Sequence, residues 1–579
     1  MSVQMAADGA NSSPLRTVRV MNWGLTLLIA AALVLKLRLV FLLNVNWDEF
    51  FYLSHVHQYL RGELTAQFQV FHVHLFWWLP RVAGDEISQI TAARLVMYGL
   101  AVGSAGLTYL IARRFLSATG ALFAVLAYLS VSNVIEHGTS FRADPIAAFL
   151  FLAALCLLLY RSGCWRAAGG AGLLMALAAM VTIKAALHLA VLGALLAAML
   201  MLADRRRRMW AQTVAFGLAF VAGLALLYEW HRLTLPVTES IDAAGFAVGT
   251  ADKMFTNGLL LRWRELIVHL VRNPVVWGLM ISGVVLVSVD AIRGRKGALG
   301  HLLIFGAFWI PVLSVLAYRN AFPYFYVFIL SPAVVVSGIV IDRLVQMVQE
   351  NRSRLALAEI ATFVGVTAVS LALHYQTNAV DATRAGRQVV DVIHRMFPQP
   401  VPYIDGPSMI ATFPQTGFFM STWGMETYRA AKRPVLAEAI ARQAPVFVLA
   451  DMPALADAMS GTHRVPPDYA LLEADRAALT ENYVHHWGRV YVAGKRLEFD
   501  GPKPVRFEIL IPGTYTVETA DPIMIDDAPY APGQPVRLAA GSHVLTPDSA
   551  AGAVTLRWGD RLFRPTEAPS PEPLFLPFR

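Results

Sequence analysis

Asp48 and Glu49 are adjacent carboxylates placed directly after the first long apolar stretch, in Asn46-Trp47-Asp48-Glu49-Phe50-Phe51-Tyr52. Charge is costly within hydrocarbon, so a pair at this place belongs at the water-facing mouth of a helical bundle. There a carboxylate stays ionised and still reaches a substrate carried on a lipid. That position points to a membrane enzyme rather than a generic transporter. The competing structural reading is a helix cap, with Asp48 starting a helix at Glu49. Two histidine pairs follow in the same stretch, His55 with His57 and His72 with His74. Residues two apart share a face on a strand but not on a helix. The pairs leave three alternatives: a divalent-cation site with Asp48 and Glu49, acceptor binding, or interfacial packing.

The elements that must hold these residues are mostly apolar. The 579 residues are 56% hydrophobic and only 15% charged, and mean hydropathy is +0.51. Soluble domains run near about 25% charged, so this is an integral membrane protein with a soluble part attached. At about 20 apolar residues per crossing, roughly eleven spans are expected: 22–43, 91–112, 119–135, 145–160, 168–183, 185–203, 211–230, 274–292, 300–317, 323–342 and 355–374. The stretch 168–203 is nearly continuous and reads either as two spans or as one span with a re-entrant segment. The net charge of +8 is a topology signal, not a nucleic-acid one. Arg16 and Arg19, Arg113 and Arg114, Arg161 and Arg166, Arg205 to Arg208, Arg293 to Lys296, and Arg343 with Arg352 and Arg354 mark every second loop. The positive-inside rule then puts the N-terminus in the cytoplasm and the C-terminal region outside. The same parity gathers Asp48-Glu49, His137 to Asp144, the loop 231–273 and Tyr318 to Pro323 on the outer face. Residues 1–20 are polar and no cleavable leader is expected. Cys156 and Cys164 are too few for a disulfide framework and read as structural.

The first outer loop, 44–90, and the loop 231–273 carry tryptophans and apolar residues at helical spacing, which suggests helices lying in the membrane interface. From about residue 376 the chain is soluble. Residues 376–500 mix a helix over Arg384 to Phe397 with short strands such as Val446 to Leu449, an α/β unit. Residues 501–579 alternate as strands at Val505 to Ile511, Tyr515 to Val517, Val536 to Leu538, His543 to Leu545 and Val554 to Trp558, a small antiparallel sandwich or barrel. A Pro-rich, extended tail follows from 564.

The membrane part, 1–375, resembles the GT-C membrane glycosyltransferases, in particular the polyprenyl-phosphate-dependent branch with the protein O-mannosyltransferases and lipid A aminoarabinose transferases. The resemblance rests on motifs in order. A long outer loop opens with Asp48-Glu49 and Tyr52. Arg38 sits near the end of span one and Arg94 early in span two. Phe141-Arg142-Ala143-Asp144-Pro145 is similar to the family's Arg-x-Asp opening. Thr182-Ile183-Lys184 is similar to its Thr-Lys-Gly element, with Ile183 inserted and Ala185 in place of Gly. Phe322-Pro323-Tyr324-Phe325-Tyr326 with Pro332 is similar to its late Tyr-Tyr…Pro run.

The resemblance implies inverting transfer of a sugar from a polyprenyl-phosphate donor to an acceptor hydroxyl, at the outer face of a bacterial-type inner membrane. A hydroxyl is a poor nucleophile and needs a base, worth about 10²–10⁴-fold. Asp48 is the candidate base, with Glu49 orienting the acceptor or holding the loop. The leaving lipid phosphate is already a stable anion and needs cations rather than an acid. Arg319, Lys184 and Arg142 are the candidates, supported by Asp144, Tyr52, Tyr324 and Arg94. His55, His57, His72 and His74 are left for an acceptor or a metal. The family branch implies no required metal or other cofactor. The implied partners are a polyprenyl-phosphate-linked sugar, the bilayer, and a lipid, glycan or protein acceptor.

Structural readings stand beside these roles. Arg142 and Asp144 could form a local ion pair with Asp144 capping its helix, Lys184 could snorkel to the interface, and Arg319 could be an ordinary loop charge. Lys36 and Arg38 lie within span one and are expected to face the bundle interior or snorkel, Lys36 in a structural role. In the soluble part, Trp423-Gly424-Met425-Glu426 and His485-His486-Trp487 are aromatic-polar clusters read as sugar-binding or as core. The alternatives to an enzyme are a transporter or flippase of lipid-linked sugars and a cell-envelope scaffold. A transporter of that kind would show inverted repeats and broken mid-membrane helices, and no repeat is evident. A scaffold predicts that Asp48 is dispensable.

Overall fold

The computed structural model describes residues 2–82, 84–236, 249, 252, 254–255, 258–350, 354–462, 464–548 and 551–576, with the side chains of 2–15 and of 354 outside that description. Arg352, one of the topology-marking arginines, and much of the loop 231–273 lie outside the described residues. Among the described residues, eight helices are long and apolar enough to cross a membrane: Arg16–Leu42, Glu86–Arg113, Ala143–Tyr160, Arg206–Leu233, Pro274–Ile292, Ala298–Leu316, Phe325–Gln349 and Leu355–Thr377. Three further apolar helices are shorter, Ala118–Ser130, Trp165–Val181 and Ala185–Met201. Each falls on one expected stretch. The molecule is a polytopic helical membrane protein.

The breaks in these helices place the polar residues. The stretch 168–203 divides at Thr182, whose extended backbone (φ −156°, ψ 136°) ends one helix before Ala185 opens the next. Lys184 sits in that break. The expected span 119–135 divides at Val131 (φ −61°, ψ 124°), with a short helix Ser132–His137 after it. Lys36 is 1% exposed and its Nζ donates to the carbonyls of Val134 (2.6 Å) and Ile135 (3.2 Å). It satisfies backbone acceptors that a bilayer would leave unpaired. Arg38, by contrast, is exposed and turned away from the bundle. Pro332 lies within the helix Phe325–Ala333, and a 3₁₀ turn Val334–Val336 follows before the helix Ser337–Gln349. A proline cannot donate to the helical ladder, which accounts for the tightening there. Gly120 and Gly338 let two helix backbones meet, because a Cβ on Gly338 would run into the Gly120 carbonyl.

The C-terminal region is built on one long strand. The strands are β1 (Tyr403–Ile404), β2 (Gln415–Thr416), β3 (Phe447–Leu449), β4 (Tyr483–Trp487), β5 (Val490–Asp500), β6 (Val505–Ile509), β7 (Gly513–Glu518), β8 (Ile523–Ile525), β9 (Ala528–Tyr530), β10 (Pro535–Leu538), β11 (Gly541–Pro547) and β12 (Ala551–Trp558). One sheet runs β10-β7-β12-β5-β3-β1-β2, with β4 also on β5. β1 is parallel to both β2 and β3, and β3 is antiparallel to β5. The first half of β5 thus belongs to the α/β unit, and its second half pairs with β12 in the sandwich. A second sheet, β6-β11-β8-β9, closes over it. Phe507, Ile509, Val517, Ile525, Leu545 and Leu556 fill the space between the two sheets, as alternation with a period of two requires.

Buried contacts seat this region on the bundle. Glu86, at the start of its helix, accepts from the Thr412 N–H (3.1 Å), the Thr412 hydroxyl and His394 Nε2 (3.0 Å). The Pro-rich tail ends in buried Leu574 and Phe575. Leu576 then donates to the Val45 carbonyl (2.8 Å), beside a parallel bridge between Asn46 and Leu576.

Candidate active site

Asn46 opens the helix Trp47–Arg61. Its side chain accepts from the Asp48 N–H (3.0 Å) while Glu49 Oε2 accepts from the Asn46 N–H (2.9 Å). This is a capping box, and it identifies Asn46 rather than Asp48 as the cap. Gly62, at φ 70°, ends the helix in the left-handed conformation that glycine adopts without strain.

The two acidic residues have separate tasks. Glu49 is fully buried. Besides the Asn46 N–H it accepts from the Phe141 N–H (2.7 Å), Arg94 Nε (2.8 Å) and Arg94 Nη2 (2.5 Å). Arg94 also donates to the carbonyls of Leu43 (2.7 Å) and Asn44 (2.8 Å). Burial raises the Glu49 carboxyl, but Arg94 and the backbone donors outweigh it and hold Glu49 below its usual value. Glu49 is therefore a clamp joining the first loop to two helices.

Asp48 keeps an exposed edge, at 14% of its side chain. It pairs with Arg142 Nη1 and lines a cavity of about 250 Å³ together with Tyr52, Arg142, Lys184, Tyr324 and Trp423. It is the one carboxylate lining this cavity among the described residues. Burial pushes Asp48 above its usual range, and Arg142 opposes that shift. A carboxylate held this way is a stronger base than in water and stays ionised only while its counter-ion remains.

The cations are held from behind. Asp144 accepts from Lys184 Nζ (2.7 Å) and lies 3.5 Å from Arg142 Nε. Arg142 lies 3.7 Å from the centre of the Tyr324 ring and Lys184 4.6 Å from it. Asp48, Arg142, Asp144 and Lys184 form an alternating row of two negative and two positive charges. Such a row satisfies every buried charge, and Asp48, Arg142 and Lys184 line the cavity while Asp144 lies behind them.

The remaining sequence candidates separate. Arg319 pairs with Glu426 (2.5 Å) and lies 5.6 Å from the centre of the Trp423 ring, at the rim. Its neighbours Tyr318 and Asn320, not Arg319 itself, line the cavity. His55 packs on Phe51 (4.2 Å between ring centres) and lies 5.8 Å from the buried His72. His57 meets Gln89 (2.8 Å), and His74 meets His231 (2.8 Å). Residues 55 and 57 diverge because they lie on a helix, and no group of three or more His, Cys, Asp or Glu side chains is placed to hold a metal among the described residues. Burial lowers His55 and His74 to about 4 and His72 to about 3, so all three are neutral.

The roof of the site comes from the C-terminal region. Phe419 stacks on Phe51 (4.0 Å between ring centres), and Trp423 Nε1 donates to Asn320 Oδ1 (3.2 Å). The C-terminal region thus closes the cavity through its 418–426 stretch. The aromatic-polar cluster Trp423 to Glu426 was the available signal. The other such cluster holds the tail instead, with His486 on the Phe563 carbonyl (3.0 Å) and Trp487 on that of Glu567 (3.0 Å).

No family model matches the chain, and no curated protein matches it in sequence. Solved structures do match its fold. ArnT from Cupriavidus metallidurans, bound to undecaprenyl phosphate, aligns at 15% identity and TM-score 0.51 over 77% of this chain and 96% of its own. The apo oligosaccharyltransferase of Archaeoglobus fulgidus aligns at 10% identity and TM-score 0.54, over 96% and 99%. The Archaeoglobus fulgidus AglB complex with an inhibitory peptide and a dolichol-phosphate gives 10% and 0.52, over 96% and 98%. The chain shares the fold of these structures.

Proposed function

We propose that this protein is an inverting glycosyltransferase that moves a sugar from a polyprenyl-phosphate donor to an acceptor hydroxyl. The observation that carries the reading is Asp48 alone among acids, of the described residues, in a cavity that also presents Arg142 and Lys184. Support comes from the GT-C fold shared with ArnT, whose structure holds undecaprenyl phosphate, and AglB, whose structure holds a dolichol-phosphate.

The reaction follows from the charges. Asp48 takes the acceptor's hydroxyl proton as its oxygen attacks the anomeric carbon. The bond from that carbon to the phosphate oxygen breaks on the opposite face, and the polyprenyl phosphate leaves with the electron pair. Arg142 and Lys184 meet its negative charge, Arg142 as a planar fork and Lys184 as a point charge. Asp144 and Tyr324 hold both cations in place, and Glu49 with Arg94 fixes the loop that presents Asp48. Arg319 is placed to join the phosphate shell only by leaving Glu426. The acceptor is a lipid, glycan or protein hydroxyl. The protein works at the outer face of a bacterial-type inner membrane, with eleven crossings, a cytoplasmic N-terminus and a periplasmic C-terminal region.

The test is a transfer assay on protein in nanodiscs, with radiolabelled polyprenyl-phosphate sugars and envelope extract. Wild type is compared with Asp48→Asn, and a third arm adds EDTA. Label moving in wild type, with EDTA present, and not in the variant is the expected result. Donor binding without turnover would instead favour a transporter or scaffold, and equal transfer by Asp48→Asn would refute the base.

A further inference from the structure

Trp47 and Thr422, which line the active-site cavity, also line a second one of about 660 Å³ on the side of the C-terminal region. Its floor is the carboxyl edge of two parallel strands. Asp405 directly follows β1, and Asp451 lies two residues after β3. Ligands of open α/β sheets bind at this edge.

The two aspartates are unequal. Asp405 is satisfied by the N–H groups of Ser408 (3.0 Å) and Met409 (2.6 Å) and by the Tyr403 hydroxyl (3.3 Å). Asp451 Oδ1 accepts from the Gly406 N–H (3.1 Å). Its Oδ2 is buried and has no hydrogen-bond partner among the described residues. Asp451 is 5% exposed and lines the cavity. Burial raises both carboxyls, and the neighbouring Asp405 raises Asp451 further. A hydroxyl, which both donates and accepts, matches Asp451 Oδ2 in either protonation state.

The other walls narrow the ligand. Met420, Met425, Met452, Leu574 and Phe575 ask for an apolar body. Arg464 and Arg489, both exposed, and the first residues of the helix Pro453–Ser460 also line the cavity. Two guanidinium groups and a helix N-terminus favour an anionic group.

We propose that this cavity binds an anionic, hydroxylated amphiphile, with its hydroxyl on Asp451, its anionic group at Arg464 and Arg489, and its apolar part on the methionine wall. Trp47 adjoins Asp48, so a ligand seated here reaches toward the base. Its use as the sugar acceptor rests on the glycosyl-transfer reading; its binding does not.

Calorimetry tests the site on the full chain in phosphatidylcholine nanodiscs without any sugar donor. The probe is dihexanoylphosphatidylglycerol below its micelle concentration, with dihexanoylphosphatidylcholine as control. Wild type and Asp48→Asn are expected to bind the anionic probe saturably and alike. Asp451→Leu and Arg489→Gln are expected to bind at least about tenfold more weakly. Arg489 is exposed, so its variant remains informative if Asp451→Leu folds poorly. Absence of saturable binding, equal binding by Arg489→Gln, or equal binding of the choline probe overturns the proposal. Probe binding with no transfer from any donor retires the proposed reaction and leaves this site standing.

Discussion

Asp48 and Asp144 in the bundle and Asp405 and Asp451 in the C-terminal region are all carboxylates held largely out of water, met in opposite ways. The bundle pair alternates with Arg142 and Lys184. The C-terminal pair has backbone N–H groups and a tyrosine hydroxyl but no ion pair among the described residues. A buried charge is tolerated when paired, and otherwise the group keeps its proton. In the proposed reaction, the first arrangement keeps a base ionised where a hydroxyl must lose a proton. The second makes a neutral, adaptable hydrogen-bonding group, suited to holding a ligand rather than transforming it.

The largest effect should come from the base. Asp48→Asn keeps the shape and removes the proton acceptor, so transfer should fall about 10²–10⁴-fold while the melting temperature stays close to wild type. Next, Arg142→Gln leaves two buried carboxylates facing Lys184 alone. It should cost about 3–5 kcal/mol in detergent unfolding, and an unchanged melting curve would break the comparison. Asp451→Asn should do little by itself, within about 1 kcal/mol, because burial already raises the carboxyl and favours its uncharged form. Its signature is pH. The raised carboxyls bind protons more tightly in the folded state, so their stabilisation is complete below the ordinary aspartate range and fades as pH rises through their raised values. Wild type should therefore melt lower at pH 8 than at pH 5, and Asp451→Asn should flatten that slope. Smallest is Arg319→Gln, which breaks a partly exposed pair worth about 0–1 kcal/mol. A rise in donor KM with unchanged melting would add Arg319 to the phosphate shell; unchanged kinetics would leave it as a rim contact.

The parts of the molecule with one dominant signal were legible in the sequence. Apolar length located the bundle helices, and two-residue alternation located β6, β7, β10, β11 and β12, since both depend on local pattern alone. The division of labour between Asp48 and Glu49 was not legible, because it turns on Arg94, 45 residues away, and on the Phe141 N–H. The histidine pairs read ambiguously because their spacing means different things on a strand and on a helix. Arg319 sits beside the right residues in sequence, yet Glu426, from a distant segment, engages it. Asp405 and Asp451 carried no motif at all. Their meaning arises only when β1 and β3 lie side by side.

The contact between Asn46 and Leu576 spans 530 residues. At roughly 5–20 residues per second of synthesis, on the order of 30–100 s separate the emergence of its two ends. The loop that carries Asp48 therefore waits, without its C-terminal support, while the rest of the chain is made. During that interval the nascent protein depends on the Glu49–Arg94 clamp, whose members are far closer in the chain, to keep the loop in register until the tail residue Leu576 that completes its support arrives.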